Sequence, residues 1–301
     1  MTNRLETILC GVNMQNPVIA ASGTFGFGDA YAAHFDPSRL GGISGKGLTL
    51  GGSVGNKGIR VWETPSGMLN SIGLENPGVA HFVKTECRRM RALGSAVICN
   101  LGGHSEVDYV EGARLLNDAD MDILELNISC PNLKAGGMAF GMRAETAADI
   151  TSKVKAVTRF PLFVKLTPNA GDIAGVARAC EQAGADGLSL VNTFLGMAID
   201  VEKRKAVFDN VYAGLSGPCI QPIALRMVHQ VCRAVNIPVM GMGGIDDWQS
   251  ALAFLMAGAA AVQIGAATFH DLLTMCDIID GLQAYCEKEG LENISEIRGI
   301  V

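Results

Sequence analysis

Eight short runs rich in β-branched and small apolar residues alternate with amphipathic segments along nearly the whole chain. The runs are Pro17–Gly23, Gly42–Leu48, Ala96–Gly102, Ile123–Ser129, Leu162–Thr167, Gly187–Asn192, Ile237–Gly243 and Ala261–Ala266. Most are continuous apolar stretches rather than strict alternations, the pattern of strands covered on both faces. Between them, helical periodicity predicts helices over Val79–Leu93, Glu106–Leu116, Ala144–Thr158, Asp172–Gln182, Ile220–Val235 and Trp248–Ala257, and Leu272–Lys288 closes the chain. Strand–helix alternation repeated eight times predicts a (β/α)8 TIM barrel, read as one domain over residues 1–301. The competing α/β arrangement is a doubly wound open sheet, which puts a glycine-rich dinucleotide fingerprint between its first strand and first helix. Ala21–Gly28 carries glycines there but lacks the G-x-G-x-x-G spacing, and no acidic residue closes a second strand.

Two connections are longer than a barrel requires, Thr49–Asn76 after strand two and Thr193–Pro218 after strand six. Both follow the C-terminal end of a strand, the face on which barrel enzymes build their sites. Trp62, Met68, Leu69, Ile72 and Leu74 predict that the first of these loops is ordered.

Polar residues gather at the same strand ends. Lys46 ends strand two, Asn100 strand three, Asn127 to Asn132 strand four, Lys165 strand five, and Val191-Asn192-Thr193 strand six. Any one of these asparagines reads as a good turn residue. A lysine inside an apolar strand is harder to dismiss, because lysine is almost never buried unpaired. Their coincidence at one barrel face predicts a site. Strands seven and eight end differently, in Met242-Gly243-Gly244-Ile245 and Ile264-Gly265-Ala266-Ala267-Thr268. Glycines at these two positions let backbone N–H groups approach an anion, so they predict a phosphate-bearing ligand. Asparagine offers donors and acceptors together, which suits a planar ligand with alternating C=O and N–H edges.

Composition excludes several other classes. Hydrophobic residues make up 49% of the chain and charged residues 18%, which excludes disorder. With 24 basic against 30 acidic side chains and a net charge of −6, nothing favours general binding of nucleic acid or anionic membrane. Met1–Cys10 lacks the basic-then-apolar pattern of a signal peptide, and the longest apolar run, Ala251–Val262, is too short for a membrane span. The nine cysteines form no C-x-x-C pair, and a reducing cytoplasm fits them as small buried hydrophobes. Cys130 stands apart, in a loop bounded by Pro131. The five histidines show no ligand spacing, so no metal is expected.

Four stretches together are specific. Asn127-Ile-Ser-Cys-Pro-Asn132, Gly67-Met-Leu-Asn-Ser-Ile-Gly-Leu74, Val164-Lys-Leu-Thr-Pro168 and Gly214-Leu-Ser-Gly-Pro218 resemble the dihydroorotate dehydrogenases, from Asn16 to Phe269. Within that family the chain is similar to the catalytic subunits of class 1B, the NAD-linked form. Class 2 enzymes carry a membrane-associating N-terminal extension and a serine base, which this chain lacks. The fumarate-linked class 1A shares the cysteine but usually differs from Leu133-Lys-Ala-Gly-Gly137.

The resemblance implies FMN in the barrel mouth. Ser22, Gly23, Lys46, Asn100, Asn127, Lys165 and Val191 would surround the flavin ring, and Ser216, Gly217, Gly243, Gly244, Gly265 and Ala266 would hold its phosphate end. Dihydroorotate would be gripped by Lys46, Asn70, Ile72, Gly73, Leu74, Asn127, Asn132, Asn192 and Thr193. Cys130 would take the C5 proton while hydride leaves C6 for FMN N5, with Lys165 stabilising the reduced flavin. Electrons would reach NAD through a partner subunit with FAD and a [2Fe-2S] cluster, docked on a homodimer of this chain to form a heterotetramer in pyrimidine biosynthesis. Two departures stand out. The family often has Gly-Thr where this chain has Gly265-Ala266, so either backbone donors suffice or Thr268 helps. Leu50–Ile59 lacks the prolines and arginine common there. Other readings are a class 1A enzyme, another flavin-dependent dihydropyrimidine oxidoreductase, or a flavin-free lyase or isomerase with Lys165 as a Schiff base.

Overall fold

The computed structural model of the chain describes residues 3–129 and 138–301. Eight parallel strands close into a barrel: β1 (Val18–Ala20), β2 (Gly42–Ser44), β3 (Ala96–Leu101), β4 (Ile123–Asn127), β5 (Leu162–Lys165), β6 (Gly187–Leu190), β7 (Val239–Met242) and β8 (Ala261–Ile264). Each pairs with its neighbour in chain order, and β8 returns to β1. The barrel expected from the alternation is therefore present, and the open sheet is excluded. Every strand is shorter at its C-terminal end than its apolar run. The residues that follow, such as Gly45–Leu48, Ile128–Ser129 and Val191–Asn192, lie at the barrel mouth, where Gly45, Leu48 and Val191 still donate to Ile98 O, Asn100 O and Met242 O of neighbouring strands.

The strands do not pack as uniformly apolar ribbons. Successive side chains face opposite sides. On β4, Leu124 and Leu126 join the main core, together with Val97 and Cys99 of β3 and Val164 of β5. The other face points into the barrel. There Ile19, Ile98, Ile123, Phe163, Met240 and Ala261 form an apolar layer with Leu9 and Met14 of an N-terminal hairpin, Thr7–Leu9 paired with Val12–Met14. Above that layer the interior turns polar: Ser44, Asn100, Glu125, Lys165, Ser189 and Gln263 are all buried. The strands are covered on both faces as expected, but their apolarity is interrupted: β2 to β6 and β8 each carry a polar residue facing the interior, and β1 and β7 carry none.

The two long connections are not plain loops. Val61–Thr64 and Gly67–Asn70 from the first, with Phe194–Met197 and Tyr212–Ser216 from the second, make a four-stranded antiparallel sheet. Its central pairing sets Gly214 opposite Asn70 and Leu215 opposite Leu69, so the two loops fold as one roof. Leu69, Val207, Phe208 and Ala213 give it a small core of its own.

The helices follow the periodicity. Glu106–Leu116 starts at a capping box between Ser105 and Asp108, and Trp248–Met256 at one between Asp247 and Ser250. The segment Val79–Leu93 is the exception. It forms Val79–His81, a wide π turn over Phe82–Glu86, and Cys87–Ala92. Of the cysteines, Cys87, Cys99, Cys180, Cys276 and Cys286 are buried, while Cys10 and Cys219 are exposed. Among the described residues, no helix is long and apolar enough to cross a membrane.

Candidate active site

The polar interior layer is one connected network. Glu125, at 0% exposure, projects into the barrel from β4. Its Oε1 accepts from Gln263 Nε2 of β8 at 2.7 Å, and its Oε2 accepts from Ser44 Oγ of β2 at 3.2 Å and from Asn100 Nδ2 of β3. Lys165 Nζ of β5 lies 3.8 Å from the same Oε2. Burial by itself raises the Glu125 carboxyl. The Lys165 ammonium and the hydrogen bonds from Gln263 and Asn100 outweigh it and hold the group below its ordinary value. Glu125 is therefore an anion in the folded protein.

From Asn100 a chain of amides climbs to the mouth. Asn127 Nδ2 donates to Asn100 Oδ1 at 3.1 Å, and Asn127 Oδ1 accepts from Ser129 Oγ at 2.9 Å. Ser129 Oγ in turn accepts from Asn192 Nδ2 at 2.8 Å, and Asn192 Oδ1 accepts from the Thr193 N–H. Tyr109 OH, from the helix behind, donates to the Asn127 carbonyl at 2.9 Å. Asn100, Asn127, Lys165, Asn192 and Thr193, chosen from sequence, are thus brought together at one end of the barrel. Cys130 and Asn132 lie outside the described residues.

The roof supplies Asn70, whose Nδ2 donates to the Gly214 carbonyl at 3.3 Å. Ile72, Gly73 and Leu74 follow it in a turn held against Leu50–Ile59. Asn56 N–H donates to Ile72 O, and the backbones of Ser53 and Asn76 exchange two hydrogen bonds at 2.9 Å. Gly73 is required here: its φ is +78°, and a Cβ would lie 2.6 Å from Asn56 Oδ1. Asn76 pins the turn, accepting from the N–H groups of Thr49 and Gly78 and donating to Leu74 O. Lys46 leaves β2 beside this turn, 3.9 Å from Glu75.

The glycine loops converge at the opposite rim. Gly217, Gly243 and Gly244 have φ of +108°, +126° and +76°. A Cβ on Gly244 would lie 2.8 Å from Gly217 O, and one on Gly217 would lie 2.6 Å from Gly67 Cα. Backbone packs on backbone here, leaving no room for side chains. Among the described residues, the N–H groups of Gly217, Gly243, Gly244, Gly265 and Ala266 make none of the loop hydrogen bonds found elsewhere. Thr268 does not join them. Its hydroxyl donates to Gly265 O at 2.9 Å and accepts from Tyr31 OH at 3.3 Å, so it braces the loop and backbone donors must serve an anion. A cavity of about 390 Å³ opens against Gly217, Pro218, Ala266 and Ala267 and runs on to Asp246, Asp271 and Asp277. Ser22 and Gly23, with Gly23 at φ +90°, follow β1 on the same mouth. Val191 follows β6 and donates its N–H to Met242 O at 3.0 Å.

Comparison with known proteins decides the family. The family model described as dihydroorotate dehydrogenase matches residues 4–286. The chain belongs to the dihydroorotate dehydrogenase family. It is 50% identical to the dihydroorotate dehydrogenase B (NAD(+)) catalytic subunit of Petrotoga mobilis, over 97% of this chain and 98% of that protein. It is 47% identical to the proteins of the same description from Alkaliphilus metalliredigens, over 98% of each chain, and from Bacteroides thetaiotaomicron, over 96% of this chain and 95% of that one.

For a dihydroorotate dehydrogenase, the flavin that this family uses makes two demands that the geometry can be tested against. One is a phosphate cradle, which the three positive-φ glycines with unused N–H groups provide. The other is a buried cation free to bond the ring. Lys165 is 4% exposed, and among the described residues no acceptor lies within hydrogen-bonding distance of its Nζ. The residues present fit FMN. Glu125 and Gln263 are the members of this site that sequence reasoning missed. The signal was available in Ile123-Leu-Glu-Leu-Asn127, where a carboxylate occupies the same strand face as Asn127. No group of His, Cys, Asp and Glu among the described residues could hold a metal.

Proposed function

We propose that this chain is the catalytic subunit of an NAD-linked dihydroorotate dehydrogenase, oxidising dihydroorotate to orotate in pyrimidine biosynthesis. The observation that carries the reading is the Lys165 ammonium, buried at the barrel mouth with no donor spent on the described residues, beside a run of asparagine amides. The names of the relatives supply the substrate.

In this reading Gly217, Gly243, Gly244, Gly265 and Ala266 hold the FMN phosphate through backbone N–H groups, with Ser216 beside them. Ser22, Gly23, Lys46, Asn100, Asn127, Lys165 and Val191 surround the ring. When bound, FMN supplies the acceptor for a hydride from substrate C6. Cys130 removes the C5 proton; a thiol with an ordinary value of about 8.5 is closer to neutrality than a hydroxyl and works as a base once beside a cation. Lys165 contributes a fixed positive charge in a dry site, where it needs no reorganisation of solvent. Asn70, Asn127, Asn132 and Asn192 offer paired donors and acceptors to the substrate ring, Ile72, Gly73, Leu74 and Thr193 enclose it, and Lys46 offers a charge to its carboxylate. The partner is an electron-transfer subunit carrying FAD and a [2Fe-2S] cluster, bound to a homodimer of this chain in a heterotetramer.

A substitution at Gly244 tests the cradle. A side chain at positive φ costs of order 1–3 kcal/mol, and Ala at 244 also collides with the Gly217 carbonyl. Gly244→Ala is expected to weaken FMN binding about tenfold or more, read by flavin fluorescence quenching on the folded apoprotein. Unchanged affinity would move the phosphate elsewhere.

Steady-state assays test the function. The isolated chain should reduce an artificial dye with dihydroorotate and not with dihydrouracil, and should hardly reduce NAD⁺ until the partner subunit is added. Equal turnover of NAD⁺ by the chain alone removes the need for a partner, and turnover with fumarate makes it class 1A.

A further inference from the structure

We propose that Glu125 is a positioning residue for Lys165, holding the ammonium charged inside the barrel while leaving its N–H donors free for a ligand. The inference rests on the flavin-binding reading above and assigns a role to Glu125, which that reading does not use.

The geometry is unusual for a buried ion pair. Both carboxylate oxygens of Glu125 are already taken by neutral donors from three other strands, Gln263, Ser44 and Asn100. Lys165 approaches to 3.8 Å, near enough for strong attraction in a dry interior but too far for a hydrogen bond. The neutral donors thus keep the carboxylate in place and keep the ammonium from spending a donor on it. Among the described residues, Lys165 is the one cation paired with Glu125. Packing alone does not ask for this arrangement. The layer directly below is apolar, built from Ile98, Ile123 and Phe163, and well-packed apolar residues in place of a buried pair are often as stable or more so.

Among the described residues, few other titratable groups face Lys165; Cys130, the base of the reading above, lies outside them. On β3, Cys99 is kept well above its ordinary value by burial and then by Cys87 and Glu125, so it stays a neutral thiol. Lys46, beyond the end of β2, is near Glu75. The remaining interior side chains from the neighbouring strands, Ser44, Asn100, Ser189 and Gln263, do not titrate. Among the described residues, Glu125 is thus the one ionic partner of Lys165.

The test uses flavin-loaded protein carrying Glu125→Gln, which keeps shape and removes charge. Two quantities are followed from neutrality toward the ordinary lysine value of about 10.4: the rate of anaerobic bleaching by dihydroorotate and the midpoint potential of the bound flavin. Without its anion, a buried lysine loses its proton at lower pH. The bleaching rate of Glu125→Gln should fall about tenfold or more, relative to wild type, as pH rises. Its plot of potential against pH should gain a break that wild type lacks. Both effects should disappear in Glu125→Gln/Lys165→Ala compared with Lys165→Ala alone, and Glu125→Asp should keep the wild-type profile. A Glu125→Gln profile parallel to wild type overturns the proposal, as does the same alkaline loss when Lys165 is absent. If Glu125→Gln does not fold, recovery of folding in the double variant supports the coupling and failure to recover overturns it. A wild-type flavin that dihydroorotate does not bleach overturns the functional reading, and the positioning role with it; normal wild-type bleaching with an insensitive variant overturns the positioning role alone.

Discussion

Replacing Cys130 by alanine is expected to slow bleaching of the bound flavin by dihydroorotate by about 10²-fold or more, the usual contribution of a positioned general base. Flavin content should not change, because the cradle glycines and Lys165 are untouched. Cys130→Ser should recover part of the rate only at raised pH, since a hydroxyl needs more alkali to act as a base. Rapid-mixing absorbance under anaerobic conditions reads all three proteins. A Cys130→Ala variant that bleaches at the wild-type rate would return Cys130 to the company of the buried structural cysteines, such as Cys99 and Cys180.

Lys165→Ala carries the second large effect, and it acts on both rate and stability. The rate of bleaching should fall by about 10²-fold or more, the cost of removing one preorganised stabilising group, while dihydroorotate binding changes less. Stability should drop by about 3–5 kcal/mol, because the variant leaves Glu125 buried without its counter-charge. The pH dependence follows from the sign of each shift. In the wild type the Glu125 carboxyl is held below its ordinary value of 4.5. Its contribution is complete above 4.5 and is lost as pH falls through the lower folded value. Without Lys165 burial governs and the folded value rises. The variant's deficit then grows as pH climbs from the ordinary carboxylate range to neutrality. Denaturant curves at acid and neutral pH measure this, and equal deficits at both would contradict it.

The barrel was legible because its evidence is local. Each strand is a short apolar run, each helix has a 3.6-residue stripe, and glycines (Gly243-Gly244 and Gly265) mark the ends of β7 and β8. The mouth residues Lys46, Asn100, Asn127, Lys165 and Asn192 could be found for the same reason, each being polar where an apolar run stops. The roof was not legible. Val61–Thr64 is largely exposed and Phe194–Met197 half so, so neither shows a buried face. Their partners lie far along the chain, and only the pairing of Gly67–Asn70 with Tyr212–Ser216 makes the sheet. Glu125 and Gln263 were hidden by their neighbours. Each is a single polar residue between apolar ones, and its meaning depends on donors reaching it from other strands. Thr268 shows a different limit. Its hydroxyl stood near enough in sequence to serve a phosphate, but Gly265 O and Tyr31 OH occupy it.

In the function proposed above, this chain binds FMN and passes electrons from dihydroorotate to it. The most direct measurement is the visible absorbance spectrum of the purified, FMN-loaded chain, recorded anaerobically before and after adding dihydroorotate. The expected result is a yellow protein whose flavin bands bleach with dihydroorotate and return when air is admitted. A folded protein that stays colourless after reconstitution with FMN, or a flavin spectrum that dihydroorotate leaves unchanged, would contradict it.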